Sequence, residues 1–144
     1  MITVAQIPSW YWTSIGVLNL CVNERGSLIL NLWEIWGRDI NPYVIFVYSQ
    51  CIILEVSCHQ TTVYVAAVYA STSYSTRHQL WHDLTLMLGR YHGPWFFLGD
   101  FNVVLGAHEK RGCQTPPSTS CMDFLHWSNA NLLSHLPSFS SFFT

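Results

Sequence analysis

The stretch most able to do chemistry is Gly99-Asp100-Phe101-Asn102, which follows the apolar run Trp95-Phe96-Phe97-Leu98. A carboxylate and a carboxamide two residues apart can serve a divalent cation, a water or a phosphate oxygen. The run in front of them is short, aromatic and bounded by Gly93-Pro94 and Gly99, the pattern of a buried strand. Gly99 lets the chain leave that strand without a Cβ penalty. Asp100 and Asn102 are then expected just past the carboxyl end of a strand, where ligands of α/β sheets tend to bind. The plainer reading is local: Asp and Asn often do no more than close a turn with their own side-chain oxygens.

The elements that must position these residues follow from the apolar period. Val17-Leu18-Asn19-Leu20-Cys21 is a candidate strand, and Asn23-Glu24-Arg25-Gly26 has turn composition. Leu28, Leu30 and Leu32 alternate with Ile29 and Asn31, which predicts a strand within Ser27–Trp36, with Glu34 as an ordinary strand residue. Tyr43–Tyr48, Gln50–Cys58 and Thr62–Tyr69 read as further strands, the last two across the short polar break His59-Gln60-Thr61, which predicts an antiparallel hairpin. Glu55 is likewise an ordinary strand residue. From Arg77 the period changes to the helical one: Leu80, Trp81, Leu84, Leu88 and Tyr91 form a stripe, with Arg77, Gln79, Asp83 and Arg90 mostly off it. Tyr91-His92-Gly93-Pro94 stops that helix. Residues 103–120 read as loop, and Ser118–Asn131 as a helix with Met122, Leu125 and Trp127 or Asn129 inward. The expectation is one domain of mixed α/β class: antiparallel strands within 27–69, a helix near 76–91, a strand at 95–98 and a helix near 119–131.

Composition narrows the function classes. Of 144 residues, 50% are hydrophobic and 10% charged, against about a quarter charged in ordinary domains. Yet no stretch approaches the roughly 18 uninterrupted apolar residues of a membrane span; Val44–Val56 is broken by Ser49, Gln50 and Glu55. No membrane association is expected. No basic stretch precedes the first apolar residues, which argues against a signal peptide. The net charge of -2 and the absence of a Lys/Arg cluster argue against strong DNA binding by this chain alone. Five cysteines, with no Cys-x-x-Cys pair, indicate neither a disulfide framework nor a zinc ribbon. Cys113, Cys121 and His126 could be drawn as a metal site, but buried or idle thiols are the commoner outcome. An intracellular, reducing setting fits this cysteine usage.

In order along the chain, several motifs resemble the endonuclease/exonuclease/phosphatase superfamily, and most closely the endonuclease domain of plant-type LINE (non-LTR) retrotransposons. Val68-Tyr69-Ala70-Ser71 is similar to that family's Val-Tyr-Ala-Ser/Pro strand end. Arg77–Leu84, with Leu80-Trp81 inside, is similar to its following helix. Pro94–Asn102 resembles its Pro-Trp-apolar-Gly-Asp-Phe-Asn strand, Glu109-Lys110-Arg111-Gly112 its Glu-Lys-x-Gly loop, and Gln50–Val56 its Gln-x-Ile-x-x-Glu-Val strand. The resemblance covers about residues 26–144. It implies an α/β sandwich of mixed sheet with flanking helices, and Mg²⁺-dependent hydrolysis of a phosphodiester in DNA, with a nuclear setting. By position it makes Asp100 the residue that activates or orients the attacking water, Asn102 the residue that holds the aspartate and phosphate, and Tyr69 the donor to the phosphate or leaving oxygen. Asp100 and Asn102 are the candidate Mg²⁺ ligands.

The departures shape the expectation as much. The family's first-strand Asn and its metal-binding Glu have no counterpart; Asn23-x-Arg25-Gly26 mimics the opening motif but lies too close to Asp100. The family's later Asp and its Ser-Asp-His sequence are also missing, and His126 and His135 do not substitute by position. The chain is therefore expected to be the central part of a truncated domain with little or no activity. The alternative is a non-catalytic module that associates, with itself or another chain, through exposed apolar strands. If the site reading holds, Tyr69 and Asp100 should end two parallel strands of one sheet. The hydroxyl and carboxylate would then lie within roughly 10 Å of each other, two strand spacings at most, with Asn102 turned toward both.

Overall fold

The computed structural model describes residues 7–26, 30–37, 39–103 and 118–136. The elements run α1 (Ser9–Ser14), β1 (Val17–Val22), β2 (Trp33–Gly37), β3 (Tyr43–Val47), β4 (Cys51–Cys58), β5 (Thr61–Tyr69), α2 (Tyr74–Arg90), β6 (Trp95–Asp100) and α3 (Ser118–Ala130). The fold is mixed α/β, as the change of period predicts. The Glu109-Lys110-Arg111-Gly112 motif, Cys113 and the start of the strand expected from Ser27 lie outside the described residues.

Two compact units emerge. One takes the described residues up to Tyr69 together with Gly93–Asp100; the other takes Ala70–His92 and the described residues from Phe101 onward. The first unit holds the six strands of the described residues, as a β1–β2 ribbon and a four-stranded sheet of order β3-β4-β5-β6. β3, β4 and β5 are antiparallel neighbours, whereas β5 and β6 run parallel. The β4–β5 hairpin turns through two residues, His59 and Gln60, with His59 in the left-handed region at φ 55° that a tight hairpin needs.

The ribbon and sheet share a core. Leu32 packs with Ile52, Leu54 and Ala67, and Cys21, Trp36, Val44, Val47 and Val56 close around them. On the sheet's other face Cys51, Ile53, Ala66 and Val68 are fully buried. The expected strand through Leu30–Leu32 does not form. Asn23 intervenes: its Oδ1 accepts from the Asn31 and Leu32 amides, and its Nδ2 donates to Asn31 Oδ1 and to the Ser49 carbonyl. A buried carboxamide satisfied on both ends replaces a stretch of ladder, and ordinary pairing starts at Trp33. Glu34, expected as an ordinary strand residue, lies buried beside this core.

In the second unit α2 and α3 meet through aromatic rings. Trp81 stacks on Trp127 at 4.8 Å between centroids and tilts against Phe124 at 5.2 Å; Phe101 joins the group. Thr85 accepts hydrogen bonds from Trp127 Nε1 and Asn131 Nδ2. Phe124, Trp127 and Ser128 are buried on α3: Trp127 is inward as expected, whereas Met122 is exposed and Phe124 lies inward outside the expected stripe. α1, over Trp10-Tyr11-Trp12, has no sequence signal of a helix and buries none of its residues.

Candidate functional site

β5 supplies the first site residue. Its sequence Thr-Thr-Val-Tyr-Val-Ala-Ala-Val-Tyr is β-branched and aromatic, with small Ala66 and Ala67 where both faces are covered. The strand ends at Tyr69, whose N–H donates to the Gln50 carbonyl and whose side chain is exposed. β6 supplies the second. It lies beside β5 in parallel register, Tyr64 opposite Trp95 through to Tyr69 opposite Asp100. The rings of Tyr64 and Trp95 stack at 5.0 Å and fix the entry of that register.

Gly99 has a different role from the one its sequence suggests. β6 does not end before it but runs through it to Asp100. Its φ of +127° and its closeness to β5 both require glycine: a Cβ there would sit 1.9 Å from the Val68 carbonyl oxygen. Asp100 is thus the last strand residue rather than the first loop residue.

Tyr69 and Asp100 are consequently direct cross-strand neighbours. Adjacent strands lie about 4.8 Å apart, and paired residues present their side chains on the same face. Both side chains are exposed at the carboxyl ends of parallel strands. Asn102, two residues on, takes the left-handed conformation at φ 48°, and its Nδ2 donates to the Ala70 carbonyl at 2.7 Å. Its amide thereby ties the residue following Phe101 to the residue following Tyr69.

Arg77 is the residue that the helical stripe misassigns. It is buried, and its guanidinium donates to the carbonyls of Ser71 (2.7 Å) and Thr72 (3.3 Å), holding the loop that leaves Tyr69. The signal was present: Arg77, Leu80, Trp81 and Leu84 follow i, i+3, i+4, i+7 spacing. His78 and Asp123 approach at 3.6 Å between the helices, His78 exposed and Asp123 half-buried.

The donors suit Mg²⁺ in one form only. Among the described residues no three His, Cys, Asp or Glu side chains come together. Mg²⁺ needs no protein cage; it keeps several waters and is held through one or two carboxylates plus substrate phosphates. An exposed carboxylate at a strand end, Asp100, fits that form. No helix among the described residues is long and apolar enough to cross a membrane.

No model of a known protein family matches the chain, and no curated protein matches it.

Proposed function

We propose that this chain carries the central part of a metal-dependent phosphodiesterase domain of the endonuclease/exonuclease/phosphatase type, acting on DNA and related to retroelement endonucleases. The observation that supports it is the register pairing of Tyr69 with Asp100 at the exposed carboxyl ends of β5 and β6. A core tyrosine and a turn aspartate would need no such pairing.

In this reading Asp100 accepts the hydrogen bond of the attacking water and aims it at phosphorus. Tyr69 donates its hydroxyl to a non-bridging or leaving oxygen. Asn102 and Arg77 hold the Ala70–Thr72 backbone. A hydrated Mg²⁺ at Asp100 would supply charge neutralisation on the phosphate.

Binding of a short fluorescent DNA duplex, followed by anisotropy with and without Mg²⁺, tests this. Affinity is expected to rise on adding Mg²⁺, and the Mg²⁺ dependence to vanish in Asp100→Ala. Equal Mg²⁺ dependence in both proteins would remove the proposal.

A second reading has its own observation. Phe96 and Leu98 are about half exposed on β6, which has β5 as its partner among the described residues. An apolar edge of this kind suits a non-catalytic module that associates by strand addition. Metal-independent association with a partner, unaffected by Asp100→Ala, would favour it.

A further inference from the structure

We infer that the β1–β2 ribbon is a releasable cover on the four-stranded sheet, and that ionisation of the buried Glu34 side chain is what releases it. Glu34 is the second residue of β2, on the same side as Leu32 and Trp36 by the two-residue period, and both of those belong to the shared core. Its cross-strand neighbour Cys21 belongs there too. The residue is 8% exposed, and its Oε2 is buried without a hydrogen-bond partner. A neutral carboxylic acid tolerates this place at modest cost; a carboxylate does not.

Among the described residues, the shared-core side chains around it are apolar. From β4 and β5 the facing core residues are Ile52, Leu54 and Ala67, and from β3 they are Val44 and Val47. From β1 the facing titratable group is the Cys21 thiol, itself pushed up by burial first and then by Glu34. Glu24, beyond the ribbon, adds negative charge. α1 contributes Tyr11 as its titratable side chain. Burial raises the Glu34 carboxyl from 4.5 to about 8, against a hydrogen bond with the Ala67 backbone that lowers it.

The ribbon is the part that yields. Two strands alone are marginal in water, whereas the sheet is four strands wide with fully buried Ile52, Ile53, Ala66 and Val68. The Asn23–Ser49 hydrogen bond remains as the hinge on which the ribbon would swing. The sign follows from proton binding. With the ribbon closed Glu34 keeps its proton up to about pH 8; with the ribbon open it loses it near 4.5. The closed state therefore holds the extra proton between these values, so closure weakens as pH rises through that window. The opening constant should grow about tenfold per pH unit and level off above pH 8.

Segment-resolved hydrogen exchange on the full chain, corrected for intrinsic exchange rates, reads this directly. Between about pH 6 and pH 8, protection of 17–22 and 33–37 should fall on the order of a hundredfold. Protection of 51–58 and 61–69 should change little. Glu34→Gln and Glu34→Met should keep the ribbon's protection independent of pH. A ribbon whose protection in the unmodified protein does not fall with pH would overturn the inference. So would a fall shared equally by all four strand segments, or one retained in either variant. Should neither variant fold, carbon-13 titration of the Glu34 carboxyl in the unmodified protein decides: a midpoint near 8 supports the inference, and one below about 5 overturns it.

Discussion

At the scale of the residue, backbone geometry is as informative as side-chain chemistry. Gly99 is fixed by the carbonyl of Val68 and by its own φ, so Gly99→Ala must push β6 away from β5 or break the register. Its cost should be about 3 kcal/mol or more, measured by urea unfolding, because the obstacle is backbone rather than a movable side chain. Asn23 is fixed differently, by four hydrogen bonds. Asn23→Ala leaves the Leu32 amide and the Ser49 carbonyl without that partner and should cost about 2–4 kcal/mol, again read from the urea midpoint. Asp100 and Asn102 could be picked out in the sequence because their types and spacing are unusual behind an apolar run. Glu34 was read as an ordinary strand residue, although it shares the two-residue parity of Leu30 and Leu32; it is buried.

At the scale of the element, legibility tracked how strong the period was. β4, β5, α2 and β6 lie close to where alternation and then i, i+3, i+4 spacing put them. The β4–β5 hairpin follows from two apolar runs across a polar break. α1 was not legible, since six residues give less than two turns of pattern. In α3 the sequence indicated a helix with Trp127 inward, but Met122 is exposed and Phe124 packs inward instead, because the stack on Trp81 favours the aromatic ring. That stack should be a large share of the second unit's stability. Trp127→Ala is expected to cost about 3–5 kcal/mol, because it removes ring contacts with Trp81 and Phe124 and leaves Thr85 without its indole donor. Thr85→Val, which removes the hydroxyl that accepts from Trp127 and Asn131 and donates to the Trp81 carbonyl, should cost about 1–2 kcal/mol by the same thermal or urea measurement.

At the scale of the whole molecule, an apolar composition meets too little surface. Phe96 and Leu98 on β6, and Tyr43 on β3, are exposed on strands. A flat apolar edge without a charged residue from Trp95 to Gly99 is an association hazard. Sedimentation velocity should show concentration-dependent association that Phe96→Lys with Leu98→Lys suppresses; a monodisperse monomer throughout would contradict this. The proposed chemistry also has a whole-molecule consequence. Among the residues that the resemblance names, this polypeptide supplies Tyr69, Asp100 and Asn102, without the metal Glu or the His that completes charge stabilisation. Members of one catalytic unit are strongly non-additive, so the 144-residue polypeptide should nick supercoiled DNA at background rate.

The claim on which the functional account stands is that Asp100 holds a divalent cation beside Tyr69. Mn²⁺ added to isotope-labelled protein broadens the resonances of nuclei within about 10–15 Å of its site, and Mn²⁺ occupies the same hard-oxygen positions as Mg²⁺. Substoichiometric Mn²⁺ should broaden the amides of Tyr69, Ala70, Gly99 and Asp100 first. Excess Mg²⁺ should reverse the effect, and Asp100→Ala should abolish it. Broadening that starts elsewhere, or that persists unchanged in Asp100→Ala, would contradict the account.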